Sequence, residues 1–146
     1  MFLNILVALD GSQSSKRALE HAIELARAGN SKLTLITVAP YASSLVTLAG
    51  VTSEAMQREL DEWADGVLRE SEDAVPDDVI AHRVRRVGVA GREIVDELDR
   101  GGYDLVVLGT RGRGRAQEGL LGSVNAYVHF HSKVPILSVP DGPSKR

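Results

Sequence analysis

Hydrophobic positions along the chain fall into two kinds of stretch that take turns. Short unbroken apolar runs are the mark of strands covered on both faces. "NILVALD" (4–10), "KLTLITV" (32–38) and "DLVVLG" (104–109) read this way. Between them, apolar residues recur at helical spacing. Ala18, Leu19, Ala22, Ile23 and Ala26 mark a first helix, and Leu60, Trp63, Ala64, Val67 and Leu68 a second. Ile94, Val95 and Leu98 mark a third, Ser123–Ser132 predicts a fourth, and Pro135–Val139 a last strand. Punctuation agrees: Ser12 or Ser14 can cap the first helix, while Gly29-Asn30 and Gly101-Gly102 supply stops. "VIAHRVRRV" (79–87) alternates more than the other strands, which suggests a sheet edge with one wet face. "DLVVLG" is the purest apolar run and is expected at the centre of the sheet.

Five strands alternating with four helices predict an α/β fold: an open parallel sheet with helices on both faces and right-handed crossovers. One connection is out of proportion. Residues 39–52, "APYASSLVTLAGVT", exceed the about 2–6 residues usual for such a loop. Leu45, Val46, Leu48 and Val51 favour a partly packed lid there. With no internal repeat and no linker, residues 1–140 are expected to form a single domain, with 141–146 a frayed tail.

Composition narrows the chemistry. The 146 residues are 43% apolar and 25% charged, a globular balance. A net charge of -3 gives no general attraction to nucleic acid or anionic membrane, so any cationic site must be local. The absence of cysteine excludes disulfides, thiolate zinc sites and thiol catalysis. "MFLNILVALDGS" has no basic leader, and no apolar run approaches the ~20 residues of a membrane span. A cytoplasmic protein is expected.

The segment "GTRGRGRAQEGLLGSV" (109–124) stands out against this background. It carries five glycines, with Arg111, Arg113 and Arg115, and leaves what reads as a buried strand. Composition alone fits a mobile surface turn equally well. Position argues for more, because ligands of open parallel sheets sit outside the carboxyl ends of the strands. Glycines there let main-chain N–H groups converge on an anion, and the following helix start adds free N–H groups. Ser123 at or near that start contributes a hydroxyl, so the parts suit a polyphosphate. No Gly-Lys-Ser/Thr follows, which excludes a Walker loop. The dinucleotide fingerprint belongs after the first strand, where this chain has Asp10-Gly11-Ser12.

Gly109, two residues, Gly112, nine residues, then Gly122-Ser123 resembles the ATP-binding branch of the universal stress protein family. "ILVALDGS", "GYDLVVLGTRGRG" and "GSVNAYVHFHSKVPILSV" resemble that family's first strand and turn, fourth strand and loop, and last helix and strand. The resemblance implies strand order 3-2-1-4-5 in an adenine nucleotide alpha hydrolase-like, Rossmann-like sheet, with Asp10 and Gly109 on two walls of one crevice. It implies ATP as ligand, with Mg2+ to neutralise its phosphates. Asp10 would then contact the ribose or a bridging metal, and Ala8 would lie beside the nucleotide. Val38 would meet the adenine through its main chain. Gly109, Gly112, Gly122, Ser123 and Val124 would wrap ribose and phosphates, with Leu108 and Arg111 in the same set. It also implies a homodimer through the last strand, Val134–Val139, an apolar edge that pairing would relieve.

Other candidates carry less. Asp10 and Ser123 also suit plain capping roles. His129 and His131, two apart on a helix, point to different faces and cannot share an ion; they suit a helix C-terminus. Trp63 is expected in the core. Arg83, Arg85 and Arg86 read as the solvated face of an edge strand, without the aromatics a nucleic-acid platform needs. No Gly-x-Ser-x-Gly elbow and no placeable Ser/His/Asp set is present. A regulatory ATP-binding protein with at most slow hydrolysis is therefore expected. An ATP-dependent phosphoryl- or nucleotidyl-transfer enzyme, or an interaction module using the arginine loop, are the alternatives.

Overall fold

The computed structural model describes residues 1–42, 50, 52–111 and 122–142. Its elements are β1 (Asn4–Ala8), α1 (Gln13–Gly29), β2 (Lys32–Ala39), α2 (Ser53–Asp73), β3 (Ala81–Val87), α3 (Ala90–Gly101), β4 (Leu105–Gly109), α4 (Ser123–His131) and β5 (Ile136–Val139). The strands form one parallel sheet in the order β3-β2-β1-β4-β5. Both the alternation of elements and the strand order match the expectations from sequence.

Helix ends follow local chemistry. Ser12, not Ser14, caps α1 by accepting the Ser15 N–H, and Asn30 ends it in the left-handed region at φ 54°. Thr52 caps α2 by accepting the Ala55 N–H. Gly122 takes the cap position of α4, so Ser123 is the first helical residue. The helix stops at His131, one residue short of the expected end. β3 begins at Ala81 rather than Val79, because the Val79 N–H turns back to the Pro76 carbonyl. β5 begins at Ile136, since Pro135 has no N–H and gives the sheet only its carbonyl, which accepts from Val106.

Alternation along each strand divides the core in two. Ile5, Val7, Leu33, Leu35, Leu105 and Val107 face α1 and α2. Leu6, Ala8, Ile36, Val38, Val106 and Leu108 face α3 and α4. Here the expected position of "DLVVLG" is corrected: β1 lies at the middle of the sheet, and β4 is the interior strand beside it. Both are fully enclosed, so an unbroken apolar run cannot tell them apart. Trp63 is half-buried rather than core; the α2 positions that are buried are Ala64 and Leu68. The proposed lid residues Leu45, Val46, Leu48 and Val51 lie outside the described residues, as does 143–146 of the tail.

The edge strand β3 is not simply solvated. Arg83 and Arg85 reach the α2 carboxylates of Glu72 and Asp65, at 3.1 and 3.0 Å. On the opposite face Arg86 meets Glu97 at 2.5 Å and Glu93 at 3.9 Å, and Tyr103 donates to the other oxygen of Glu97 at 2.8 Å. This cluster pins α3 to the sheet. Burial works against the charge of Glu97, whose side chain is 13% exposed. The hydrogen bonds from Arg86 and Tyr103, with the nearby guanidinium, outweigh burial and hold its carboxyl below the ordinary glutamate range.

Because the folded pKa lies below the unfolded one, this stabilisation is complete at neutral pH. It is lost as pH falls through the usual carboxylate range and below it. Glu97→Gln is expected to cost about 1–3 kcal/mol at pH 7. Its urea midpoint should also fall less steeply than the wild type's between about pH 5 and pH 3. Parallel curves for the two proteins would remove the cluster from the acid-sensitive stability.

Candidate functional site

The chain leaves β1 and β4, which are neighbours, toward opposite faces: α1 packs on one side of the sheet and α4 on the other. Such a divergence opens a crevice at the carboxyl ends of the strands. The structure has a cleft there of about 490 Å³, counting its open mouth. Its walls are largely apolar: Ala8, Leu9, Ile36 and Val38 from the β1–β2 side, Leu108 from β4, Ala90 and Ile94 from α3, and Val124 from α4. The polar lining consists of Asp10, Ser15, Gly109, Arg111 and Asn125.

The first wall is a tight turn. Gly11 sits at φ 82°, where a side chain would be strained, and lets the chain swing from β1 into α1. Asp10 Oδ1 accepts the Ser12 N–H at 2.9 Å, so the carboxylate shapes the turn. The turn reading of Asp10 thus holds in the structure, while the cap of α1 is Ser12, and Asp10 also lines the cleft.

The second wall is held from both faces of the sheet. A Cβ on Gly109 would lie 2.2 Å from Ser14 Oγ and 2.8 Å from the Ser14 main-chain carbon. Ser14 Oγ donates to the Arg111 carbonyl at 2.5 Å, with Ser12 Oγ at 3.4 Å from the same oxygen. From the other face Asn125, 2% exposed, donates Nδ2 to the Gly109 carbonyl at 2.9 Å and to Ser138 Oγ at 3.1 Å. The glycine-rich loop is closed at its neck by the Gly122 N–H, which donates to the Thr110 carbonyl at 2.7 Å.

Of the residues expected at a binding site, Ala8, Asp10, Val38, Leu108, Gly109, Arg111 and Val124 line this one cleft. Gly122 and Ser123 are not among the lining residues; they lie at the loop neck and the start of α4, with Ser123 exposed. Gly112, Arg113 and Arg115 lie outside the described residues. Sequence reading missed Asn125, Ser15, Ala90 and Ile94. Asn125 had one available signal, an amide in the first turn of a mostly apolar helix, where a buried amide must find partners. Ala90 and Ile94 are four apart and so share a helix face. Among the described residues no group of three or more His, Asp or Glu is arranged to hold a metal ion, and none of the helices is long and apolar enough to cross a membrane.

The described lining is thus largely apolar, with Asp10, Arg111 and the buried amide Asn125 among its polar residues. A model of the universal stress protein family matches residues 1–140. The chain belongs to the universal stress protein family. Universal stress protein YxiE of Bacillus subtilis (strain 168) is 32% identical over 149 residues, covering 95% of this chain and 99% of that one. A universal stress protein solved in complex with cAMP is 30% identical, with a TM-score of 0.72 over 97% of this chain and 99% of its own. A family member from Arabidopsis thaliana solved with AMP bound shares the fold at a TM-score of 0.61 and 23% identity, over 98% of this chain and 97% of its own.

The contact of Gly109 with the Ser14 main chain makes a direct prediction. Gly109→Ala is expected to destabilise by about 1–3 kcal/mol through overpacking, read as a lowered urea midpoint with an unchanged slope. Combining it with Ser14→Ala should recover little, because the main-chain carbon remains in the way. Full recovery would mean that the hydroxyl alone forbids a side chain at position 109.

Proposed function

We propose that the cleft binds an adenine nucleotide, ATP with Mg2+ foremost, and that the protein is a cytoplasmic regulator whose signal is nucleotide occupancy. The observation that carries this reading is an apolar slot at the β1/β4 divergence with Asp10 on one rim and the neck of a glycine loop on the other. The adenine would lie against Ala8, Ile36, Val38 and Leu108. The β1–β2 ladder supports a main-chain contact there. Its last rung is the Leu9 N–H to the Ile36 carbonyl, and Val38 is the next residue in phase to face the β1 side, where that strand has turned away. Asp10 suits the ribose hydroxyls. Phosphates would meet Arg111, Gly109 and the first-turn N–H groups of Ser123 and Val124 in α4, with Gly122 at the loop neck beside them. Gly112 belongs to the same proposal.

Magnesium binds through one or two carboxylates together with substrate phosphates. Asp10, the carboxylate of the lining, fits that need, and the ion would neutralise phosphate charge. The described lining residues include no histidine, lysine or cysteine, so hydrolysis is expected to be slow at most. Denaturing the purified protein should release an adenine nucleotide identifiable by mass spectrometry. Gly122 has φ -65° and ψ 157°, a conformation valine adopts freely, so Gly122→Val should fold. It should weaken ATP at least about tenfold, near 1.4 kcal/mol, while leaving adenosine nearly unchanged. Unchanged ATP affinity would remove the loop neck from the phosphate site.

A homodimer through β5 belongs to the same reading. Pro135 and Val139 carbonyls accept from Val106 and Thr110, so by alternation Ile136 and Ser138 direct their main-chain groups to the open edge. Ile136→Pro removes an edge-facing N–H without a β4 rung, and should convert a dimer to monomer in sedimentation analysis. An unaltered dimer mass would place the contact elsewhere.

A further inference from the structure

The segment that leaves β5 is held by two arginines, one of which is a residue of the cleft lining. Arg17, on α1, donates Nη1 to the Pro140 carbonyl at 2.6 Å. Gly142 turns back at φ 104°, and a Cβ there would come within 2.9 Å of the same Arg17 nitrogen, so the turn needs glycine. Between these two points Asp141 extends its carboxylate to Arg111, Oδ2 to Nη1 at 3.7 Å. Arg111 is also one of the residues that line the cleft.

We propose that Asp141 is an internal counter-ion for Arg111, which the phosphate of a bound nucleotide must displace, so that occupancy of the cleft frees the Asp141 carboxylate. The inference rests on the nucleotide reading above and adds the regulation of that site. Three features support it. The pair is long and its side chains are 35% and 38% exposed, which makes it weak enough to exchange. A terminal phosphate carries about -1.5 to -2 charges at neutral pH against one on the carboxylate, and so wins the guanidinium. Arg17 holds the Pro140 carbonyl independently of the ion pair, so the carboxylate can leave while its segment stays tethered nearby. By linkage, whatever captures the freed carboxylate must in turn tighten nucleotide binding.

The test measures AMP, ATP and adenosine affinities by calorimetry at low salt, for wild type, Asp141→Asn, Arg111→Gln and the double variant. Asp141→Asn should bind AMP and ATP about two- to fivefold more tightly, the range of an exposed ion pair, with adenosine unchanged. The gain should vanish in the Arg111→Gln background and shrink with added salt. In wild-type protein, AMP but not adenosine should shift the amide resonances of Asp141 and Gly142. Equal AMP and ATP affinities for wild type and Asp141→Asn would overturn the counter-ion role while leaving the nucleotide site standing, as would a gain that persists without Arg111. Failure of all four proteins to bind any adenine compound would overturn the cleft reading and this inference with it.

Discussion

The first turn of α1 sits so close to the end of β4 that no side chain fits between them. Ser14 stands where a Cβ of Gly109 would be, and its hydroxyl holds the carbonyl of Arg111, two residues further on. From the opposite face Asn125 takes the Gly109 carbonyl. The last residue of β4 is therefore fixed by contact on one side and by a buried hydrogen bond on the other, and an unmade bond at either point would leave a buried polar group unpaired. The direction in which the chain leaves the sheet follows from this grip. β1 leads through Asp10-Gly11 into α1 on one face, the helix that follows β4 in the chain, α4, packs on the other, and the cleft lies where the two strands end.

The glycine at 109 thus has two explanations that operate together. A glycine at the end of a buried strand, in a loop rich in glycine, suggests close approach by a ligand. In the structure the close neighbour on one side is the protein's own helix. Asp10 is similar: it shapes its turn by accepting the Ser12 N–H and it also lines the cleft. Structural and binding roles fall on the same residues because the site is made of the turns that end the strands.

Much of this was legible in the sequence, for physical reasons that differ from element to element. Unbroken apolar runs identified strands because burial on both faces leaves no polar phase, and for the same reason they could not rank β1 against β4 as the middle strand. Arg83, Arg85 and Arg86 read as solvated charge because their partners, Asp65, Glu72, Glu93 and Glu97, lie on two separate helices. Trp63 lies in a helical apolar stripe, but the buried positions of that stripe are Ala64 and Leu68. The rim residues of the cleft came from motif spacing. Its α3 wall did not, since Ala90 and Ile94 look like ordinary core until α3 packs over β2 and against α4.

The two edges of the sheet differ in a way that bears on assembly. β3 carries arginines on both faces, each engaged with a helix, and charge fixed along an edge opposes pairing with another chain. β5 has no charge among its four residues, Ile-Leu-Ser-Val, and Asn125 and Ser138 join it to the base of α4. Asn125 in turn bonds the Gly109 carbonyl in the cleft. A partner seated on β5 would therefore press on a strand only two hydrogen bonds from the site, whereas one seated on β3 would act through the Arg86 cluster and α3. The shorter and more polar route runs through β5, and the segment carrying Asp141 begins where that strand ends. Assembly at this edge and charge at the cleft mouth are thus joined by a handful of residues, Gly109, Asn125, Ser138 and Asp141, on adjoining elements.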